Sequence, residues 1–184
     1  MATPDTLTFR LATAADAPQL TTLINTSFRN DPTTDVFLSL DHENIDIVDD
    51  AAVLALLARP EAAVLAVTDG PGGAPVAHCF VRKLDDARAW FGLLAVAVDR
   101  QGEGIGGRVV RWAEDYVRRE WGVGRLEFDV VNTRAELIRW YERRGFTRTG
   151  ETREFPYERH GGWEGVLRGD LGFVVFGRDL GVEA

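Results

Sequence analysis

Apolar and polar residues alternate from Leu7 to Thr13, the period of a half-buried strand. The pattern then becomes helical, with Leu20, Leu23, Ile24 and Phe28 recurring behind a capping-box start at Thr13 and Asp16. Asn30-Asp31-Pro32 is expected to stop this helix, and Arg29 to Asp50 reads as irregular chain. A second helix, "DDAAVLALLARP", ends at Pro60. Three strands follow: "AAVLAV", "VAHCFVRKL" and "RAWFGLLAVAV", separated by turns at Asp69–Pro75 and Asp85-Asp86. Ile105, Val109, Trp112, Ala113 and Tyr116 mark one face of a third helix reaching about Glu120. Arg125 to Val131 is a strand, and Thr133 with Glu136 is expected to cap a fourth helix running to Arg144. "GFTRTGE" and "LGFVVFGRDL" close the chain as strands around an aromatic, glycine-rich loop, "FPYERHGGWEG".

The resulting order, β-α-α-β-β-β-α-β-α-β-β without repeat or linker, predicts one mixed α/β domain over residues 1–184. With 45% hydrophobic and 27% charged residues, the composition is that of a soluble globular protein. No apolar run approaches the ~20 residues of a membrane span, and the N-terminus does not read as a signal peptide. The single cysteine, Cys79, excludes an internal disulfide and fits a reducing, cytoplasmic setting. A net charge of −8 argues against nucleic acid as a partner and is compatible with cationic small molecules.

The densest chemical signal is "RQGEGIGGR", with four glycines among residues 102–107 between a strand and a helix. A helix start presents unpaired amides and a positive dipole end, and glycine lets an anion approach them closely. Two phosphate-binding readings fit. Gly102, Gly104 and Gly107 match G-x-G-x-x-G, the dinucleotide fingerprint of nicotinamide-dependent oxidoreductases, with Glu127 or Asp129 as the ribose-binding acid. Against it, Asp99, Arg100 and Gln101 separate strand from glycines, and too few βαβ units follow. Alternatively, Gln101 to Gly106 match Q/R-x-x-G-x-G/A.

That second motif resembles the pyrophosphate loop of the GNAT N-acetyltransferase family. "FRLATAADAPQLTTLI" resembles the family's first strand and helix, "YERRGF" its Y-E-x-x-G-F segment and "FVVFGRDL" its closing strand. The resemblance implies a mostly antiparallel mixed sheet of six to seven strands with about four helices, splayed between strands 4 and 5. It implies acetyl-CoA as acyl donor and a small amine, or a peptide amine, as acceptor, joined by direct attack in a ternary complex.

The resemblance also assigns roles. Gln101, Gly102, Glu103, Gly104, Ile105, Gly106 and Gly107 would hold the diphosphate, with Arg108 and Arg111 either assisting or simply solvated. Leu94, Ala95 and Val96 would offer backbone to the pantetheine arm, and one amide would polarise the thioester. Tyr141 matches the proton donor to the leaving thiolate; the alternative is that it only packs. The family's arm-binding asparagine lies seven residues before the tyrosine; Arg134 is there, and Asn132 is the nearest candidate. The central strand lacks the usual glutamate base, which leaves Glu127 and Asp129 as substitutes or as ordinary structural acids.

Seven acids between residues 31 and 50, with Phe155, Tyr157 and Trp163, suit an acceptor amine with an apolar or aromatic body. No metal is expected: Asp41-His42-Glu43 are sequence neighbours, which rarely converge on one ion. Oligomeric state, monomer or homodimer, is left open. The missing strand acid keeps a non-catalytic acyl-CoA-binding module as the alternative function.

Overall fold

A computed structural model of the chain describes residues 7–29, 48–155, 157 and 169–181. The elements are β1 (Leu7–Leu11), α1 (Ala17–Arg29), α2 (Asp50–Leu57), β2 (Ala62–Asp69), β3 (Pro75–Lys83), β4 (Arg88–Val96), α3 (Ile105–Trp121), β5 (Arg125–Val131), α4 (Ala135–Glu142), β6 (Thr147–Glu154) and β7 (Gly172–Asp179). They form one seven-stranded sheet in the order β1-β2-β3-β4-β5-β7-β6, and only β4 and β5 are parallel. This is the single mixed α/β domain expected, with four helices over an almost wholly antiparallel sheet. It is not the run of parallel βαβ units that a dinucleotide fingerprint would need.

Alternation along the strands divides the core into two faces. On one, Leu65, Cys79, Phe91 and Phe128 pack against α3 and α4 through Val109, Ala113, Ile138 and Tyr141. On the other, Val64 and Phe80 lie under Leu20, Ile24 and Val53 of α1 and α2. The first helix start behaves as its sequence predicts. Asp16 accepts from the Thr13 amide at 2.7 Å, and Arg10 forks onto the same carboxylate, which holds it well below the usual range. The second does not: α4 begins one residue late, Arg134 stands at its N-cap, and the buried Thr133 hydroxyl bonds nothing. A tight turn from the Arg134 amide to Val131 O (3.0 Å) displaces the capping geometry. No helix among the described residues is long and apolar enough to cross a membrane.

β4 has very unequal neighbours. It pairs with β3 along nearly its whole length but with β5 only through Arg88–Arg125, Ala89–Leu126 and Trp90–Glu127. An ion network closes that short contact. Glu127 is 6% exposed and accepts from Arg125 (2.7 Å) and Arg88 (3.3 Å), while Arg125 also reaches Asp179 (2.6 Å). Beyond Trp90 the two strands part.

His78 of β3 is fully enclosed, and neither ring nitrogen has a hydrogen-bond partner. Burial lowers its pKa to about 4, so the folded protein keeps it neutral. An unfolded histidine titrates near 6.5, so the unfolded chain takes up the proton first as pH falls. Stability should therefore be full above about pH 6.5 and decline toward pH 4, by up to about 3 kcal/mol. Denaturant melts between pH 7.5 and 4.5 should show this decline, and a His78→Leu variant should flatten it.

Candidate active site

Halfway along β4 the strand takes an extra residue. His78 lies opposite Ala95 and Phe80 opposite Gly92, so Leu93 and Leu94 share the place of one residue. Leu93 adopts φ +51°, a left-handed conformation that costs a non-glycine residue on the order of 1 kcal/mol. The bulge falls where β5 has already left. Ala97 donates its amide to Val76 O at 2.8 Å, so Ala97 and Ala95 face β3, and Val96 between them turns its backbone toward the gap. The Val96 carbonyl accepts from Ser27 Oγ (2.9 Å) and Gln101 Nε2 (3.3 Å).

The gap opens into a cleft of about 550 Å³ whose walls include Leu94, Ala95, Val96, Gln101, Gly104 and Tyr141. At one end lies the start of α3. Gly104 is its N-cap at φ +79°, a conformation that glycine adopts without strain, and open space surrounds the position a Cβ would take. No side chain caps this helix, and its first turn holds no acid. The amides of Ile105, Gly106 and Gly107 thus point into the cleft with the positive end of a 17-residue helix behind them. Gly102 also lines the cleft, whereas the exposed Glu103 turns back to accept from Arg100 at 2.9 Å. An uncapped helix mouth beside open space is the donor set that a diphosphate needs.

Tyr141 reaches the cleft from α4 but is only 4% exposed. Its ring packs on Phe128 (centroids 4.2 Å apart), Trp140 (4.8 Å) and Phe146 (5.9 Å). Burial pushes its pKa up, so the phenol holds its proton throughout the neutral range.

The remaining candidates lie apart from this cleft. Glu127 is committed to Arg88 and Arg125 at the closed end of the strand pair. Asp129, two residues on, is looser: Arg153 is 3.6 Å away, and burial raises its pKa despite that charge. Arg153 in turn lies over the Trp90 ring, 4.5 Å from its centroid. Asn132 ties β5 to the start of β7, donating to Asp170 O (3.0 Å) and accepting from the Gly172 amide (3.2 Å). Phe155 and Tyr157 stack edge to face at 5.0 Å near Val131 and Phe173. Trp163, the acids from Asp31 to Asp46 and the Asp41-His42-Glu43 cluster lie outside the described residues. Among the described residues no three metal-ligating side chains converge.

Sequence reasoning missed Ser27, Trp140 and Arg144, all of which line the cleft. Ser27 left a signal, a lone hydroxyl three residues after Ile24 in the apolar stripe of α1. Arg144 left one too, an arginine four residues after a tryptophan, the spacing that stacks them on a helix.

No curated protein matches the sequence significantly. Among solved structures, the fold resembles the ribosomal-protein-S18-alanine N-acetyltransferase from Escherichia coli, with 16% identity, a TM-score of 0.69 and coverage of 97% of this chain and 96% of that one. It also resembles spermidine N-acetyltransferase from Vibrio cholerae, solved with CoA and spermine, with 15% identity, a TM-score of 0.68 and coverage of 95% and 96%. A GCN5-related N-acetyltransferase from Kribbella flavida shares 20% identity at a TM-score of 0.65, covering 96% of this chain and 99% of that one. At these identities the likeness establishes the fold. The sequence model of the acetyltransferase (GNAT) family, however, matches residues 19–146, well over half of the chain, and the protein belongs to that family.

Proposed function

We propose that the protein moves an acetyl group from acetyl-CoA to a primary amine of a small molecule by direct attack within a ternary complex. One observation carries the reading: a single cleft joins uncapped α3 amides, an unpaired stretch of β4 backbone and a buried, protonated phenol. The family uses acetyl-CoA, and one of the similar structures was solved with CoA.

Each part answers a demand of the chemistry. The amides from Gly102 to Gly107 hold the diphosphate without a side-chain cation having to be desolvated. The backbone of Leu94 and Val96 pairs with the peptide-like arm, as an added strand would. Because Ser27 and Gln101 occupy the Val96 carbonyl, its N–H is the group left to face the thioester oxygen. A donor there stabilises the oxyanion that forms as the amine adds, a contribution of about 3 kcal/mol in comparable sites. The C–N bond forms, the C–S bond breaks, and the departing sulfur takes the Tyr141 proton.

The incoming amine must lose a proton, since a free alkylamine has a pKa near 10.4. Asp129 has the freer carboxylate of the β5 pair, because Glu127 is held by two arginines. Asp129 lies outside the cleft wall and would act on the amine through water, a role that its raised pKa suits. The acids at residues 31–50, with Phe155 and Tyr157, favour a cationic acceptor with an apolar body.

Tyr141→Phe should lower kcat at least ~10-fold while leaving the affinity for acetyl-CoA within about twofold, as read by thiol release and calorimetry. Retained turnover would return Tyr141 to a packing role. Asp129→Asn should cut kcat/KM by about 100-fold and remove the acidic limb of its pH profile. In a panel at low salt, arylalkylamines and polyamines should outrun acidic amino acids, and the reverse order would sink the charge argument. A parent that binds acetyl-CoA but turns over no amine would instead be a binding module.

A further inference from the structure

Arg153 belongs to β6, the last strand of the sheet, and its side chain reaches across β7 to β5 and β4. Its guanidinium lies over the Trp90 ring, 4.5 Å from the centroid, with Asp129 at 3.6 Å and Glu151 at 2.9 Å. Trp90 and Asp129 alternate with Phe91 and Phe128 of the core under α3, so they occupy the opposite face of the sheet. An aromatic face flanked by two carboxylates is a cage for a planar cation, and here the chain fills it with its own.

The occupant is held loosely. Its contact with Asp129 exceeds hydrogen-bond length, and its hydrogen bond is to Glu151, which travels with it on β6. β6 advances from Arg148 to Thr152 while β7 moves only from Phe176 to Val174, so the chain just before Arg153 bulges off the ladder, with Gly150 at φ +89°. Burial keeps the Asp129 pKa raised although Arg153 pulls it down, so the arginine does not fully offset the burial of that carboxylate. Charge and stacking hold Arg153 over Trp90, and a second guanidinium could supply both equally well.

The cage also lies where an acceptor would extend. The acyl arm enters from the α3 end of the gap, which leaves the Trp90 end for the amine. The Trp90 indole nitrogen lies 3.6 Å from where a Cβ on Gly92 would stand, so the ring leans along β4 toward the bulge. From Gly92 to Val96 the strand covers about 10 Å once the bulged residue is discounted. An amine and a guanidinium separated by about five methylenes span that distance.

We propose that Trp90, Asp129 and Glu151 form a cation subsite for the far end of the acceptor, and that Arg153 is an internal occupant which a guanidinium-bearing amine displaces. The inference rests on the reading of the chain as an amine acetyltransferase. Asp129 contributes charge rather than a hydrogen bond, so its oxygens stay open to water. Because the cage must be vacated first, Arg153 lowers the apparent affinity of the parent by the fraction of time that the cage stands empty.

The test compares (aminopentyl)guanidine with (aminopentyl)urea, its planar but neutral counterpart, as acceptors. Arg153→Gln should lower KM for the guanidine about fivefold or more, with KM for the urea and affinity for acetyl-CoA within about twofold of the parent. Adding Trp90→Leu should bring the guanidine-to-urea ratio below about twofold, whereas adding Trp90→Phe, which keeps a ring, should retain part of it. Equal improvement of both amines by Arg153→Gln overturns the subsite, since Arg153 would then be a steric plug. A ratio within about twofold in that variant overturns it too. If the parent acetylates no amine, the acetyltransferase reading has failed, and ligand-observed NMR of Arg153→Gln with butylguanidine and butylurea decides the subsite by itself. Preference for the cation supports it and equal binding overturns it.

Discussion

β4 hydrogen-bonds to β3 along nearly its whole length and to β5 over three residues, and the cleft follows from that inequality. A parallel pair that continued past Trp90 would use the backbone groups of β4 internally and leave nothing for a ligand. The bulge at Leu93 lies just beyond that short pairing and consumes one residue without advancing the ladder with β3. The closed end stays closed because Glu127 draws Arg88 and Arg125, one from each strand, onto one buried carboxylate. An opening of this kind needs a staple at its base, and the ion network supplies it where the ladder is too short to do so.

Polar groups around the opening are distributed by the same logic. Where backbone groups need to remain available, the chain withholds side chains: glycine at the α3 N-cap, no acid in the first turn, no capping hydroxyl. Where a backbone group would compete, it is occupied, as Ser27 and Gln101 do for the Val96 carbonyl. Tyr141 both packs in the core and borders the cleft. Its ring completes an aromatic cluster around Phe128, and the burial that results keeps its hydroxyl protonated at the cleft wall.

Much of this was legible in the chain. The order of elements, the capping pair Thr13–Asp16 and the glycine mouth of α3 follow from local rules, because each depends on residues within one turn of one another. The capping pair expected at Thr133–Glu136 did not form, because a turn back to Val131 outweighed a local preference. Glu127 and Asp129 looked equivalent by alternation on one strand. Two arginines, from β4 and β5, separate them, and one of those pairings spans 39 residues.

The sequence by itself determined the domain class, the element order and a glycine-rich helix start without a side-chain cap, since period, turn chemistry and glycine act at short range. Only the tertiary structure decided where the sheet opens, which backbone groups stay unpaired and which acids the arginines reach. Those depend on strand register and on contacts between residues far apart in the chain, and neither a periodicity nor a motif carries that information.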